Sequence, residues 1–474
     1  MGLRMHNEIQ PQNFTILGAL WHDKRIEDIW SSEGCIRAWL RVEGQIAHAQ
    51  AQSGIIEQEI AELIVSVCES INIDADRFWQ ETRLVGYPIL PLITQLTEAL
   101  PREAAGKVHY GVTTQDVMDS GLALQLVLTA EHLEHLLVNF GNQLVTLSER
   151  FVATMMAGRT HSQQAVPITF GGKIAVFLEQ VRQELVNLRR ARNETSVVSL
   201  FGAAGTSAAM GTSAATVRAA LAQALGLRTT DVPWHVARGN VVRFGQCLTT
   251  ISAVCVRFAR EIVDLSRTEI GEVRERSGHH RGASSTMPQK ANPISCEAII
   301  GFGISAYAVA SSLLRSMETG HERSSGEWQV EWFSLPTLVQ LTASAIGLST
   351  EVASGLEVFP DRMAENLKLD HGLISSEALM MHLAPVLGRD HAHEVVYQSA
   401  RHSRQDGIAL TDSVREILPA EEQGLLEGFS ADSYLGDEVV ICRSAVAHWK
   451  AEIEQLTGSQ TSLQGLQHKE GSAL

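Results

Sequence analysis

The sequence predicts an all-α fold, on three observations. Alanine and leucine are abundant, and the 474 residues include only 12 prolines, a composition that favours helices. Two long segments, near residues 174–188 and 248–265, carry apolar residues at spacings of three and four. No segment alternates apolar and polar residues over the length of a strand. The length of the chain predicts two or three domains, or one very extended one.

The chain is predicted to be helical from about residue 26 to residue 67, and a proline-rich interruption follows at 86–91. From about His109 the pattern changes to long helices joined by short polar loops. After about residue 359 turn signals become denser, which predicts a third, smaller helical domain, and the Ser- and Gln-rich tail is predicted to be disordered. The predicted boundaries are 1–110 for the N-terminal domain, 111–358 for the central bundle, 359–456 for the C-terminal domain and 457–474 for the tail.

Apolar stripes on two central helices are typical of bundle seams, and core packing is the interpretation for every residue in them. Both helices are longer than average, so we expect them to bury faces against other subunits as well. The stripes consist of Ile174, Phe177, Leu178, Val181, Leu185 and Leu188, and of Leu248, Ile251, Cys255, Phe258, Ile262 and Leu265.

The bulk properties exclude several classes of protein. A formal charge of −16 argues against a nucleic-acid-binding surface, although it permits local basic pockets. Six scattered cysteines without a Cys-x-x-Cys pair predict reduced thiols in a cytoplasmic protein. Residues 1–12 lack the apolar region of a signal peptide, and no apolar run reaches the roughly 18 residues of a membrane span. We therefore expect a soluble, cytoplasmic protein that binds neither nucleic acid nor membrane.

One polar segment, residues 283–293, combines hydroxyl, amide and lysine side chains between glycines and prolines. Such a segment is typical of a ligand-facing loop, in which Lys290 could neutralise a carboxylate and a serine could move a proton. On residue types alone, an ordinary polar surface loop is an equally good interpretation.

Two further segments, 108–116 and 158–167, interrupt the helices with polar residues that a bundle core would not need. A single histidine in such a place, such as His109 or His161, is more often a hydrogen-bonded structural residue than a catalyst. Three polar clusters in one helical protein favour the functional interpretation.

Residues 283–293 resemble the signature loop of the fumarase/aspartase superfamily, Gly-Ser-Ser-x-Met-Pro-x-Lys-x-Asn-Pro, and depart from it in Ala283. The resemblance implies a three-domain helical subunit whose central helices form the bundle of a homotetramer, with active sites shared between subunits. It also implies that Ser284 is the catalytic base and that the loop binds a substrate carboxylate. The loop residues assigned to substrate binding are Ser285, Thr286, Met287, Lys290 and Asn292.

The same resemblance assigns roles in the other segments. His161 takes the position of the general acid, oriented by Glu297, which the pattern Asn-Pro-x-x-x-Glu identifies. Such a carboxylate would fix the tautomer of the imidazole and raise its basicity. Arg238 and Arg323 are candidate carboxylate binders, but structural ion pairs are at least as good an interpretation of isolated arginines. The remaining substrate-binding candidates are His109, Thr113, Thr114, Gln115, Thr160 and Gln163.

The implied reaction is an anti β-elimination from a succinyl group. Most motif details resemble 3-carboxy-cis,cis-muconate cycloisomerase, but that branch usually carries Trp where this chain has His161. It also usually reads Gln-Arg-Asp-Arg at 237–240 and Pro-His-Lys-Arg at 288–291. Adenylosuccinate lyases usually carry Thr-Arg-His-Asp where residues 82–85 read Thr-Arg-Leu-Val. The sequence therefore predicts a C–N lyase that forms fumarate from a di- or tricarboxylate. The alternatives, in order, are a cycloisomerase, an adenylosuccinate lyase and an inactive structural oligomer.

No metal or other cofactor is predicted. The best metal-binding patterns, His132 with His135 and His391 with His393, look like solvated helical faces. The chain has neither a P-loop nor a dinucleotide fingerprint. A catalytically inactive scaffold would have no reason to keep the candidate catalytic and binding residues. The chain retains Ser284, Lys290, Asn292, His161 and Glu297.

Overall fold

The computed structural model describes residues 22–470, apart from 277, 279–280, 283–285, 288, 324 and 431–433, and it describes side chains as far as residue 455. That part of the chain contains seventeen α-helices, which confirms the predicted all-α class. The chain forms two compact units. The first comprises Met1–Leu137, Glu184–Cys255 and Ala298–Gly347, and the second comprises Val138–Gln183, Val256–Glu297 and Leu348–Leu474. The division at 110, 358 and 456 stays a prediction, as does the tail.

Six helices form the N-terminal part of the first unit: α1 (Lys24–Trp30), α2 (Ser32–Gln52), α3 (Gln58–Ser70), α4 (Ala75–Val85), α5 (Ile89–Glu98) and α6 (Arg102–Ala105). Side-chain caps start several of them, because the first N–H groups of a helix lack intrahelical partners. Asp74, for example, accepts from the N–H of Arg77 at the start of α4. Gly86, with φ of 83°, ends that helix at the predicted interruption.

The long helices lie in the middle of the chain: α7 (Thr114–Arg150), α8 (Phe170–Thr195), α9 (Ala214–Leu225), α10 (Gly239–Leu265), α11 (Ile294–Leu313) and α12 (Glu327–Gly355). The two predicted seams lie on α8 and α10, and their residues are buried. In the second unit, Phe258 of α10 packs edge-to-face against Phe140 of α7 and Phe177 of α8, with ring centroids 5.3 and 5.6 Å apart.

Five helices complete the second unit: α13 (Pro360–Asn366), α14 (Ser376–Leu387), α15 (Arg389–Asp406), α16 (Leu410–Ile417) and α17 (Glu438–Glu470). Helices α14 to α16 enclose a small core of their own around Leu379, Leu383, Ala392 and Val414.

Two short antiparallel strand pairs also occur in the second unit, so the expectation of a chain without strands was wrong. The strands are β1 (Met155–Thr160), β2 (Gln163–Thr169), β3 (Val273–Arg274) and β4 (Glu357–Val358). β1 pairs with β2, and β3 pairs with β4. These strands have two to seven residues, and residues 155–160 do not alternate apolar and polar side chains, so no strand signal was visible at the level of sequence.

Two helical stretches, Gly239–Leu265 and Ile294–Glu318, are long and apolar enough to cross a membrane by length and composition alone. The most apolar part of the first is 67% buried, as in the core helix of a soluble protein, whereas that of the second is only 28% buried. The second stretch, formed by α11 and the turn after it, therefore exposes an apolar face of the kind that marks an interaction surface.

Candidate active site

The first predicted segment is organised by Asp116, a fully buried carboxylate in the first turn of α7. A buried carboxylate is stable only when donors satisfy its oxygens. Here five donors do so, and they join the start of α7 to the loop around residue 200 and to a buried imidazole. The donors are the N–H groups of Thr113 (3.2 Å), Phe201 (2.9 Å) and Gly202 (2.9 Å), the Ser199 hydroxyl (3.2 Å) and Nε2 of His235 (2.8 Å).

Thr113 and Thr114, two predicted carboxylate donors, lie at the positive end of this 37-residue helix. Asp116 bonds back to the N–H of Thr113, which is half of a capping box and fixes the first turn. Both threonines are half-buried. The arrangement can therefore present hydroxyl and N–H donors to an anion.

Gln115 is buried, and its amide is used inside the protein rather than offered to a ligand. Its Nε2 donates to the carbonyl of His235 at 2.8 Å, and its Oε1 accepts from Arg323 at 3.2 Å. Gln115 thus bridges His235 and Arg323, and its role as a substrate donor stays a prediction. Arg323, also bonded to the carbonyl of Ala203 at 2.5 Å, is half-buried and held in place by this bridge.

Arg238 is enclosed by ion pairs inside the protein, and its role as a substrate binder stays a prediction. Its side chain is only 1% exposed and lies between Asp119 and Glu331, each also 1% exposed. The guanidinium bonds both oxygens of Asp119, at 2.9 and 3.0 Å, and both oxygens of Glu331, at 2.8 and 2.5 Å. It also lies over the ring of Trp234. Of the two interpretations left open by the sequence, the ion pair is the one the structure gives.

His109 has left-handed backbone geometry, with φ of 56°. Its Nδ1 lies 2.6 Å from Oε1 of Glu43, which α2 contributes from the interior. Burial tends to lower the pKa of His109, but the hydrogen bond and charge of Glu43, together with the charge of Asp116, outweigh it and raise the pKa. This buried carboxylate was missed by sequence reasoning, because nothing in the sequence distinguishes Glu43 from its exposed acidic neighbours.

The second predicted segment is the β1–β2 hairpin, and His161 lies at its tip. Thr160 pairs with Gln163, which leaves His161 and Ser162 as a two-residue turn with φ values of 50° and 64°. Positive φ at both positions is what a type I′ turn requires, and Asn-Gly is its usual sequence. A histidine there is strained, by about 1–2 kcal/mol. Thr160, His161 and Gln163 are all exposed, so the hairpin presents the predicted acid to solvent.

The hairpin is held near its tip by Glu272, a fully buried carboxylate just before β3. Arg159 of β1 bonds both its oxygens, at 2.7 and 2.9 Å, and the Asn366 amide donates to it at 2.8 Å. Arg159, two residues before the predicted acid, is therefore fixed by a bidentate ion pair. Glu272 was another functional neighbour that the sequence did not reveal.

In the third predicted segment, Ser284 and Ser285 lie outside the described residues. The base of the loop is described: the N–H of Asn292 donates to the carbonyl of Gly282 at 3.0 Å. Gly282 has φ of 65°, and a Cβ there would lie 2.5 Å from the Asn292 oxygen, so the closure requires glycine. The side chains of Thr286, Met287 and Lys290 are exposed, and Asn292 is half-buried.

Glu297 is exposed in the first turn of α11, and no hydrogen bond joins it to His161 within the described part of one chain. The start of α11 is capped by Glu275, a buried carboxylate one residue after β3. It accepts from the N–H groups of Ser295 (3.3 Å) and Cys296 (2.8 Å), the two residues before Glu297. The short segment 272–275 thus supports both the hairpin with His161 and the turn with Glu297.

Two other features lie apart from these segments. A cavity of about 500 Å³ between α2 and α3 is lined by none of the predicted site residues. Among the described residues, no group of three or more His, Cys, Asp or Glu side chains is arranged to hold a metal ion. His132, considered above as a ligand, instead bonds Asp23 at 2.9 Å.

A family model described as a lyase matches residues 18–307, more than half of the chain. The chain belongs to this lyase family. The family lies within the fumarase/aspartase superfamily, as the signature loop predicted, and the protein is an enzyme of that superfamily.

The relatives of this lyase differ in the reactions their names give. Trans-aconitate decarboxylase 1 of Mycosarcoma maydis is 35% identical over 84% of this chain and 81% of its own length. The 3-carboxy-cis,cis-muconate cycloisomerase of Pseudomonas aeruginosa is 37% identical over 79% and 82%. The N-acetyl-S-(2-succino)cysteine lyase of Enterococcus italicus is 30% identical over 82% and 85%.

The fold of this lyase is also that of a solved cycloisomerase. The crystal structure of the 3-carboxy-cis,cis-muconate lactonizing enzyme from Pseudomonas putida matches with a TM-score of 0.86 at 32% identity, over 93% of this chain and 100% of the other. The predicted superfamily fold is thereby confirmed.

Proposed function

We propose that this lyase catalyses an anti β-elimination that releases fumarate from an N-substituted succinate. The observation that carries the proposal is His161, which occupies the tip of a tight hairpin turn at the cost of a left-handed backbone. Backbone strain is a physical reason to assign a function to a residue when its segment has already been identified for its chemistry.

The proposed reaction begins at the carbon next to a substrate carboxylate. Ser284, as the alkoxide, removes a proton from that carbon, and the electron pair of the C–H bond moves into the carboxylate. The resulting aci-carboxylate carries two negative charges, which Lys290, Asn292 and the helix end at Thr113 and Thr114 would stabilise.

The second step breaks the bond to the leaving group. The electron pair returns to form the C=C bond of fumarate, and the C–N bond breaks. His161 gives its proton to the departing nitrogen, with Glu297 orienting the ring. All electrons come from the substrate, so the step needs no cofactor.

Because His161 and Glu297 share no hydrogen bond in the described part of one chain, we propose that they meet across subunits of a homotetramer. The exposed apolar face of α11 supports assembly, since Ile304 and Tyr307 are 55% and 38% exposed. Inactive Ser284→Ala and His161→Ala proteins should partly regain activity when mixed and reassembled. Verified mixed tetramers without activity would contradict shared sites.

We also propose that the enzyme works in the cytoplasm on a small di- or tricarboxylate, without nucleic-acid or membrane partners. The cysteines support a reducing compartment: no disulfide joins any of the six, all of which lie in the described part of the chain, and all but Cys35 are buried. The net charge of −16 repels nucleic acid, whereas Lys290 and Arg323 supply local positive charge.

The second candidate is a cycloisomerase, favoured by the relatives of that name at 37% identity. Against it stand His161, where that branch usually has Trp, and the absence of its arginines at 240 and 291. At 237–240 the chain reads Ala-Arg-Gly-Asn, and its one arginine, Arg238, is enclosed by Asp119 and Glu331. An anionic substrate would find no guanidinium there.

Fumarate release from a substrate panel tests the proposal. The panel contains N-substituted aspartates, adenylosuccinate, nitrosuccinate, an S-(2-succinyl) thioether, trans-aconitate and carboxymuconate. Fumarate from an N-substituted member, absent with Ser284→Ala, is the expected result. Fumarate from the thioether alone would show that the leaving atom is sulfur rather than nitrogen. Lactone from carboxymuconate without any fumarate would make the enzyme a cycloisomerase and refute the proposal.

A further inference from the structure

A buried carboxylate near the first segment, Glu43, has no part in the proposed elimination. Glu43 is 2% exposed, and its Oε1 lies 2.6 Å from Nδ1 of His109. Its Oε2 is buried and has no hydrogen-bond partner among the described residues. His109 is therefore the one described group that compensates this carboxylate.

We infer that Glu43 is a positioning residue that keeps His109 as an imidazolium, so that Nε2–H is offered to a carboxylate of the substrate. The inference rests on the proposed function and adds to it the charge state of a binding group.

The two ring nitrogens of His109 have different tasks. Nδ1 must carry a proton, because it faces the acceptor-only Glu43. Nε2 then either carries a second proton and donates, or is a bare acceptor that repels a carboxylate. No described residue bonds Nε2, and the side chain is 21% exposed, so this nitrogen can meet a ligand.

The surroundings favour the protonated form. Glu43 on α2 and Asp116 on α7 both raise the pKa of His109 against the opposing effect of its burial. Cys68 on α3 remains a neutral thiol, because burial and the charge of Glu43 raise its pKa to about 12. Lys107, the nearby cation, lies over the exposed ring of Tyr110. The groups around the pair thus supply negative charge from two helices.

The backbone also fixes the pair. His109 is held in the left-handed region, and Gln50, two turns after Glu43 on α2, donates to the carbonyl of Tyr110 at 2.7 Å. The two side chains of α2 therefore clamp consecutive residues of the segment. If the segment needed only to be held in place, the hydrogen bond from Gln50 would be sufficient. The buried carboxylate of Glu43 would not be needed.

Binding of succinate, which cannot eliminate, tests the inference without turnover. Isothermal titration calorimetry between pH 6 and 9 would compare the wild type with Glu43→Gln and His109→Gln. Glu59→Gln, an exposed acid of α3, is the matched control. Gln accepts the Nδ1–H bond but carries no charge, so Glu43→Gln should lose least affinity at pH 6, where the imidazole is most protonated. Above neutral pH its affinity should fall about tenfold for each unit by which the imidazole pKa drops.

Wild-type titrations in buffers of different ionisation enthalpy supply a second measurement that needs no stable Glu43 variant. Succinate binding should take up protons increasingly as the pH rises above neutral, and His109→Gln should abolish that uptake. Equal loss of affinity at every pH in Glu43→Gln, or wild-type binding without His109-dependent proton uptake, would overturn the inference. Absence of fumarate from the substrate panel, with these pH effects intact, would instead refute only the lyase reaction.

Discussion

Replacement of Arg238 by methionine separates the two roles considered for that residue. The change keeps most of the side-chain volume but removes the guanidinium, which leaves Asp119 and Glu331 facing each other at 1% exposure without a counter-charge. Four charge-assisted hydrogen bonds are lost. Breaking a buried ion pair from one side costs about 3–5 kcal/mol, a large part of the roughly 5–15 kcal/mol that stabilises a typical native protein.

Arg243→Met is the matched control, because Arg243 pairs with Glu194 through a side chain that is 58% exposed. Loss of such a surface pair costs at most about 1 kcal/mol. Chemical unfolding at one fixed protein concentration should therefore give a much lower midpoint for Arg238→Met than for Arg243→Met.

The pH dependence sharpens the test. Burial already raises the pKa of Asp119 to about 6, although the charge of Arg238 opposes it. Without that charge the folded-state pKa rises further, so stability is retained at low pH and lost as the pH rises through the new value. The deficit should be smaller at pH 5.5 than at pH 8. An Arg238→Met protein with a normal midpoint but a raised KM would refute the structural assignment and restore the substrate-binding one.

Three other perturbations have clear expected results. Gly282→Ala should lower the rate of fumarate release roughly tenfold or more without changing the unfolding midpoint, since Cβ strain opens the loop base. Gly278→Ala, whose Cβ would meet the Arg281 Cβ at an ordinary contact distance of 3.6 Å, should be neutral in both assays. The ion pair of His109 and Glu43 stabilises the fold below pH about 6.5, and this stability is lost as the pH rises through the raised folded-state pKa of His109. The unfolding midpoint should therefore depend less on pH in Glu43→Gln than in the wild type. Ile304→Glu should yield smaller oligomers by light scattering; an intact tetramer would exclude this face from the interface.

The helical seams were predictable, because a buried stripe repeats at the period of the helix and needs only local sequence. The hairpin was not. Its turn is His161-Ser162 rather than a glycine-containing pair, so the strongest short-range turn signal is missing. The sequence nevertheless marked the segment as chemically unusual, through the polar residues that the same turn presents.

The roles of single charged residues depend on partners that are distant in the chain. Asp119 and Glu331 lie 119 and 93 residues from Arg238, and no spacing rule connects them. The same holds for Glu43, which bonds a histidine 66 residues away. Motifs could therefore place the loops, but only the packing of α2, α7 and α12 decides which charges are compensated inside the protein.

Backbone strain gives an argument that is independent of motif similarity. His109 and His161 both have positive φ, and each lies in a segment identified for its polar residues. A loop that served only as a connection would be more stable with glycine at such positions, by about 1 kcal/mol or more. Retaining imidazoles there is a cost without benefit unless the side chains act on something. Asp370 and His371 are strained as well, in a turn for which no chemistry is predicted, so strain supports a role only where a second observation agrees. At His109 that observation is Glu43, and at His161 it is the exposed hairpin tip held in place by Arg159 and Glu272.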